Sequence, residues 1–495
     1  MQFNLDHLDV LVVSCLGIAL RGIVSLSSYS GLSTPPMFGD YEAQRHWQEI
    51  TYNLPTKEWY TNTTSNDLMY WGLDYPPLTA YHSYLLGRIA YSINSSYVEL
   101  HKSRGYESEE HKSFMRLSVL VADLLVYIPA CIMLAKNLPN KKLFLAVLTL
   151  LICYPGLILI DNGHFQYNNI SLGFMMMAIA AILQDSYVWS ALLFSLALNY
   201  KQMELYHALP FFVILLRVSL SERNYVRKVT KLLQIGLVTI ATFGILWLPW
   251  IFSKQSFMAT LNRLFPFNRG VFEDKVANVW CSLNVVYKFK ENFTNSQMAL
   301  LCLSATLCVV LPLNIHAFLK GQKKTFMLAL FNTALAFFLF SFQVHEKSIL
   351  LAAIPAINLF QYMPFNTVAF LKISFLSMLP LFMKDCLCVP YFCLMFGFSC
   401  SLRYFIQVVY SENLKIQKLL RLLMLGMDAT IFLISLVSIF VPSPARFPHL
   451  WPLFISVFCC GCFLILLFIS IAHQLNIEKY LYRIFYKFVP DVIMK

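Results

Sequence analysis

Apolar stretches long enough to cross a hydrocarbon layer return again and again along this chain, and no other feature limits its possible folds so strongly. A bilayer core of about 30 Å asks for about 20 apolar residues per helix, and the backbone must satisfy its own polar groups inside it. Such stretches lie at 8–27, 113–135, 142–160, 168–184, 187–201, 205–219, 230–251, 296–319, 325–343, 347–363, 366–383, 388–410, 418–441 and 450–472. With 58% hydrophobic and 13% charged residues over 495 positions, soluble classes fall away. The expectation is an all-α polytopic membrane protein with about 14 spans, built as a single membrane-embedded domain over 1–495.

The net charge of +12 is a topology signal. With a cytosolic N-terminus, the loops on that side hold Lys136, Lys141 and Lys142, then Arg217, Arg223, Arg227, Lys228 and Lys231, then Lys320, Lys323 and Lys324, then Lys415, Lys418 and Arg421. The tail, 473–495, adds Lys479, Arg483, Lys487 and Lys495. An excess of Lys and Arg at every second loop is the positive-inside pattern. No basic cluster interleaved with aromatics marks a nucleic-acid surface. The thirteen cysteines show no zinc-ligand spacing with a nearby His, so they read as small buried hydrophobes. Residues 1–7 lack a basic n-region, and the first span reads as an uncleaved helix.

The opposite side carries the unusual loops: one long segment, 28–112, a second at 252–295, and shorter ones near 161–167, 201–204, 344–347, 384–387 and 442–449. The sequons at Asn62, Asn94 and Asn292 all fall on this side, consistent with a glycosylating lumen. In the long loop, Ala43, Trp47, Ile50 and Leu54 return at helical spacing, with Glu42, Arg45, Gln48 and Glu49 on the other faces. That predicts an amphipathic helix over 41–54 at the membrane surface, its apolar side in lipid or packed on other helices, capped by Asp40. Position at a helix N-terminus favours the ionised carboxylate, the form a general base needs. Asp74 sits between Tyr70, Trp71 and Tyr75, and Pro76 and Pro77 start a helix over 78–91. Aromatic faces beside a carboxylate suit a sugar ring, and they equally suit an interfacial belt.

Three other stretches put ionisable groups at span ends. They are Asp161, His164, Gln166 and Asn168; Lys201 and Glu204; and His345, Glu346 and Lys347. Ionisable side chains at such depth are expensive and are functional candidates. The stretch 263–280 offers Arg263, Arg269 and Lys275 as cations, with Glu273 and Asp274 as acids; cations about an aromatic hollow suit a phosphate. There is no D-x-D pair, no glycine-rich phosphate loop and no soluble nucleotide-binding domain. A lipid-borne isoprenoid phosphate sugar therefore fits better than a nucleotide sugar.

"GDYEAQRHWQEIT", "YWGLDYPPLTAYHS", "SRGYES", "IDNGHFQYNN", "LFPFNRGVFEDKVANVW" and "VHEKSILLAAIP", in that order, resemble the dolichyl-phosphate-glucose-dependent glucosyltransferases of the endoplasmic reticulum. The resemblance covers residues 20 to 357; beyond it only the apolar pattern agrees. "GDYEAQRHW", "WGLDYPPLTA" and "DNGHFQYN" look like the branch that adds the first glucose rather than the sister branch that adds the second. The resemblance implies a GT-C membrane fold and an endoplasmic-reticulum location with a luminal site. It implies transfer from dolichyl-phosphate-glucose to Man9GlcNAc2-diphosphodolichol, as an inverting α-1,3 linkage. It assigns the base role to Asp40. Single displacement then leaves phosphate, which departs without protonation but needs cations. His345 and Lys347 are the expected partners, with Arg263, Arg269 or Lys275 in support. Glu42, Arg45, Asp74, Tyr75, Asp161, His164, Gln166, Lys201, Glu204, Glu273 and Glu346 are expected to contact substrate or to support those that do. No cofactor is expected, although Asp40-Tyr41-Glu42 superficially resembles a metal-binding acidic pair. A transporter would show symmetric halves and helices broken near the midplane; this chain is asymmetric.

Overall fold

The computed structural model describes residues 7–265, 275–410 and 414–477. Every regular element among them is a helix. Eleven of these helices are long and apolar enough to cross a membrane, fewer than the sequence pattern suggested. Asn168–Leu183 and Tyr187–Tyr200 are 16 and 14 residues long, and a 14-residue helix reaches only about 21 Å. The apolar run 347–363 divides into a 3-10 turn Glu346–Ile349, a short helix Leu350–Asn358 with Pro355 inside it, and a second 3-10 turn Leu359–Gln361. Proline lacks the N–H that would continue the ladder.

The chain divides into two compact units. The first comprises Met1–Leu205, Glu222–Arg269 and Met378–Asp428. Its centre is the span Lys141–Phe165, almost wholly buried, while Tyr225–Leu246 turns nearly all of its apolar surface outward. Leu233, Leu237, Ile240 and Ile245 are exposed there, as a lipid-facing helix requires. The Glu109–Ala135 and Lys141–Phe165 spans are tied to His7–Ser25 by a buried ion pair. Arg21 Nε lies 3.2 Å from Asp123 Oδ2, and Arg21 Nη1 donates to the Gly17 and Ile152 carbonyls at 3.1 and 2.7 Å. Asn162 donates to Asp123 at 3.3 Å, and Asn169 bonds to its other oxygen.

The second unit comprises Tyr206–Ser221, Gly270–Ser377 and Ala429–Lys495. Lys323–Phe340 is its buried centre. Phe331 meets Phe370 and Phe338 meets Phe463, with centroids 5.0 and 5.8 Å apart. Between helices, Asn332 donates to Gln474 at 2.7 Å and Asn314 to Thr333 at 2.9 Å, the kind of polar contact that fixes helix register in lipid. All thirteen cysteines are free; Cys15, Cys308, Cys386, Cys393 and Cys400 are exposed rather than buried. A thiol is apolar enough for a helix surface in lipid.

Replacing Asp123 by Ala strands a buried guanidinium, so the variant should lose roughly 3–5 kcal/mol of stability, whereas replacing Arg21 and Asp123 together by Leu should cost far less. Thermal denaturation of the detergent-solubilised protein measures both; equal losses would show that the pair is not coupled.

Candidate active site

The helix Asp40–Asn53 begins at Asp40 itself, with Gly39 as the cap residue in extended backbone and no capping bond from a side chain. Asp40 is thus the first helical residue, not the cap expected from its position. Its backbone N–H donates to Ser30 Oγ at 3.3 Å, and its carboxylate turns away to other partners. The segment before it is closely packed. Gly31 has φ of +79°, and a Cβ there would lie 2.0 Å from the Gly39 nitrogen. A Cβ on Gly39 would lie 2.5 Å from Ser30 Oγ. Only glycine fits at these two positions.

Asp40 Oδ2 accepts two bonds: one with His164 Nε2 at 3.0 Å and one from the Gln166 amide. His164 stands there because the span Lys141–Phe165 does not end in α-geometry. Residues 159–165 form a wide π-type turn, closed by Gln166 N donating to Asp161 O at 3.3 Å. Such turns concentrate at functional sites. Phe165 then takes φ of +91°, strained for a bulky side chain by about 1–3 kcal/mol, and Gln166 continues in extended backbone. The expected loop at 161–167 is therefore helical up to Phe165. Two contacts fasten it: Ser30 N donates to the His164 carbonyl at 3.0 Å, and Arg116 Nη2 donates to the Ser28 and Gly163 carbonyls at 2.9 and 2.7 Å.

His164 has a second acid. Its Nδ1 lies 2.5 Å from Asp385 Oδ2. The side chains of Asp385 and His164 are 2% and 3% exposed, that of Asp40 22%, so of the three only Asp40 can meet a substrate. Sequence reasoning passed over Asp385. Its only signal was a lone acid at the end of an apolar run, which is costly unless paired. Asp161, expected near substrate, is fully buried and accepts from Asn168 Nδ2 and Asn169 N, each at 2.7 Å; it supports the wide turn.

The rest of the Asp40 helix is not amphipathic at a membrane surface. Residues 41–51 are buried on every face, because its polar side chains pair with protein. Arg45, fully buried, donates to Glu42 through Nε and Nη2 at 2.7 and 2.6 Å, to Glu49 at 2.8 Å and to Ser103 at 2.6 Å. Tyr70 donates to Glu42 at 2.7 Å, and the Arg104 guanidinium lies 4.4 Å from the Tyr70 ring centre. Glu42 and Arg45 thus support the fold rather than touch substrate. Burial alone would raise the Glu49 carboxyl; the His46 hydrogen bond, the Arg45 charge and the His101 backbone N–H overcome it and hold Glu49 at about 2. Burial lowers His46 itself, so at neutral pH it acts as a neutral N–H donor and Arg45 supplies the charge.

A second wall carries Asp74 and Tyr75. Pro76 caps and Pro77 opens the helix Pro77–Ile93. The Trp47 ring lies 5.0 Å from Tyr75, and the Tyr75 hydroxyl comes within 3.5 Å of Gln166 Oε1. Lys201 Nζ lies 4.8 Å from the Tyr75 ring centre and donates to Asn168 Oδ1 at 2.5 Å. Tyr75, Gln166, Lys201 and Asp40 are thus brought together. Arg263 donates to the Gly72 carbonyl at 2.6 Å and to that of Leu73 at 3.2 Å. It fastens the aromatic segment. Glu204 is buried within the 3-10 turn Gln202–Glu204.

In the second unit, His345 is exposed, and Glu346 and Lys347, on the 3-10 turn that follows it, are half-buried. Lys275 is half-buried, and its carbonyl accepts from Ser456 at 2.5 Å. Arg269 and Glu273 lie outside the described residues. Asn62, Asn94 and Asn292 are all exposed; Asn94 Oδ1 accepts from Ser96 N at 3.0 Å within its own sequon. Among the described residues, no group of three or more His, Cys, Asp or Glu side chains is arranged to hold a metal ion.

Helices of membrane length around one accessible, imidazole-backed carboxylate define an integral-membrane transferase. The chain belongs to the ALG6, ALG8 glycosyltransferase family, whose profile matches residues 13–470. A Drosophila melanogaster relative, named a probable dolichyl pyrophosphate Man9GlcNAc2 alpha-1,3-glucosyltransferase, is 53% identical over 462 residues, covering 92% of this chain and 96% of its own. A Gallus gallus protein, named dolichyl pyrophosphate Man9GlcNAc2 alpha-1,3-glucosyltransferase, is 44% identical over 476 residues, 91% of this chain and 94% of its own. An Arabidopsis thaliana relative with the same name, qualified as probable, is 43% identical over 395 residues, 79% of this chain and 74% of its own. The likeness reaches well past residue 357, where the sequence motifs stopped.

The depressed Glu49 carboxyl makes stability pH-dependent. Its contribution is complete above the ordinary value of 4.5 and is lost as pH falls from there toward 2, since the unfolded state then binds the proton first. The melting temperature of the solubilised protein should therefore fall across that window. Glu49→Gln should melt lower at neutral pH and show a flatter acid limb; an acid limb as steep as in the wild type would assign the dependence to other carboxylates.

Proposed function

We propose that this protein transfers the first glucose from dolichyl-phosphate-glucose to Man9GlcNAc2-diphosphodolichol, forming an α-1,3 linkage with inversion. It acts in the endoplasmic reticulum membrane from a site open to the lumen, on a GT-C fold. The observation that carries this reading is Asp40: a partly exposed carboxylate oriented by His164 and by Gln166, whose amide oxygen the Tyr75 hydroxyl approaches. The names of the relatives support the acceptor and the linkage, and the motif resemblance supports the donor.

One carboxylate suffices for this chemistry. Asp40 takes the proton of the mannose hydroxyl as its oxygen attacks the anomeric carbon from the face opposite the phosphate. The bond from that carbon to the phosphate oxygen breaks, and dolichyl phosphate departs as an anion that needs no general acid. Its growing charge calls for cations. We assign these to His345, which precedes the 3-10 turn Glu346–Ile349, and Lys347 within it, and we infer that no metal is required. Lipid-linked oligosaccharide from cells lacking the protein should stall at Man9GlcNAc2; stalling one glucose later would give the chain the sister reaction instead.

Asp40→Asn keeps size and helix start but cannot take the proton. Glucosyl transfer by the purified, folded variant should fall by about 10²–10⁴-fold, with acceptor binding much less changed. Asp74→Asn should be milder; a dead Asp74 variant beside an active Asp40 variant would exchange their roles. Lys347→Ala and His345→Ala should each lower turnover by roughly 10²–10³-fold, the cost of one charge-stabilising donor, in assays that chelator leaves unchanged. Wild-type turnover at low and at saturating donor would remove both from the site.

A further inference from the structure

The Ser30, Arg116 and Asn168 contacts fasten the wide turn through its backbone and Asp161; the contact between Asp385 and His164 instead engages the imidazole. It joins two acids through one imidazole. Asp40 Oδ2 and His164 Nε2 are 3.0 Å apart, and His164 Nδ1 and Asp385 Oδ2 are 2.5 Å apart. Two lone pairs do not face each other at such a distance, so a proton lies in each gap. If Asp40 is to be ionised and ready as a base, the proton at Nε2 belongs to His164; with Asp385 ionised as well, so does the proton at Nδ1, and His164 is an imidazolium held between two carboxylates. Without Asp385, a charge on an imidazole only 3% exposed would rest on Asp40 alone, while Arg116 nearby adds a charge of the same sign. The remaining titratable groups packed about Arg116 are the phenols of Tyr29, Tyr41 and Tyr167, and Gln166 adds no charge.

We propose that Asp385 is a positioning residue of glucosyl transfer, holding His164 protonated and aimed at Asp40 so that Asp40 stays an oriented, ionised base. The inference rests on Asp40 being that base. When Asp40 accepts the mannose proton, no further bond is made or broken within the cluster; His164 keeps its two protons and Asp385 its charge. The device resembles the acid that orients a catalytic imidazole in hydrolases, with the order reversed: here the imidazole orients the acid that reacts.

The test uses the purified full-length protein with both lipid-linked substrates. Asp385→Asn should lower kcat between roughly 10- and 100-fold, the usual size of removing the partner of a functional imidazole, with both KM values nearly unchanged. The active form needs the imidazolium, and losing a neighbouring negative charge lets it deprotonate sooner. The alkaline limb of the pH–kcat profile should therefore move to lower pH, which a purely structural role would not do. Asp385→Glu should return part of the rate and of the shift. In a His164→Gln background, Asp385→Asn should cost nothing further. Wild-type kcat and an unmoved limb in Asp385→Asn, or losses that simply add to that of His164→Gln, would overturn the proposal. Should Asp385→Asn fail to fold, Asp385→Ser decides: it also removes the charge and is smaller than the residue it replaces, so an unchanged rate and limb there overturn the proposal equally. Asp40→Asn in the same series separates the two readings. An active Asp40 variant sinks the base assignment itself, whereas an inactive one beside an unaltered Asp385→Asn sinks only the role of Asp385.

Discussion

A guanidinium with no exposed surface has to be neutralised on the spot, and the Asp40 helix is organised around meeting that demand at Arg45. Glu42 and Glu49 come from the same helix one turn to either side, and Ser103 arrives from a distant stretch of the long loop. Because Glu49 also receives the His101 backbone N–H at 2.7 Å, the segment 101–103 cannot leave without exposing or stranding charge. The loop's two ends are thereby locked to one helix. Asp40, at the first position of that helix, inherits the rigidity. The base role proposed for it asks for placement to within a fraction of an ångström, and the holding is done by buried ion pairs several residues away.

His164 reaches Asp40 from a different part of the sequence by a different device. A membrane span is carried on past α-geometry into a wide turn, and the strain at Phe165 aims the next side chain, Gln166, back at the same carboxylate. Arg116 binds both sides of this meeting through the carbonyls of residues 28 and 163. Polar atoms that would be costly at such depth are consumed by one another, and Asp40 is left more open than Asp385 or Asp161.

Much of this was legible from the residues. The acids and amides of "GDYEAQRHW" and "DNGHFQYN" stood out because ionisable groups beside apolar runs need a reason, and Asp40, His164 and Gln166 do meet. Other parts were hidden for physical causes. Periodicity separates apolar from polar faces but cannot tell water from a protein partner, so a helix buried all round read as one lying at a membrane surface. Arg263 read as a cation for phosphate because sequence does not show the Gly72 and Leu73 carbonyls it binds. Asp385 stood alone in "MKDCLC", with no pattern around it, and its meaning lies wholly in a contact across more than two hundred residues. Hydropathy treats 347–363 as one continuous run and does not show where Pro355 and the 3-10 turns divide it.

The wide turn at 159–165 has a consequence for how this region can change over time. A π-type turn holds one residue more than an α-turn over nearly the same length, so the span carries a built-in insertion. Removing any one residue there would restore regular geometry, and local helix energetics would favour the shorter chain. Yet each residue turns an α-helix by about 100°, so the imidazole would swing off the carboxylate it serves. Side chains along these seven positions can drift within the limits of packing, but their number cannot. The length of the segment, more than its spelling, is what inheritance has to preserve.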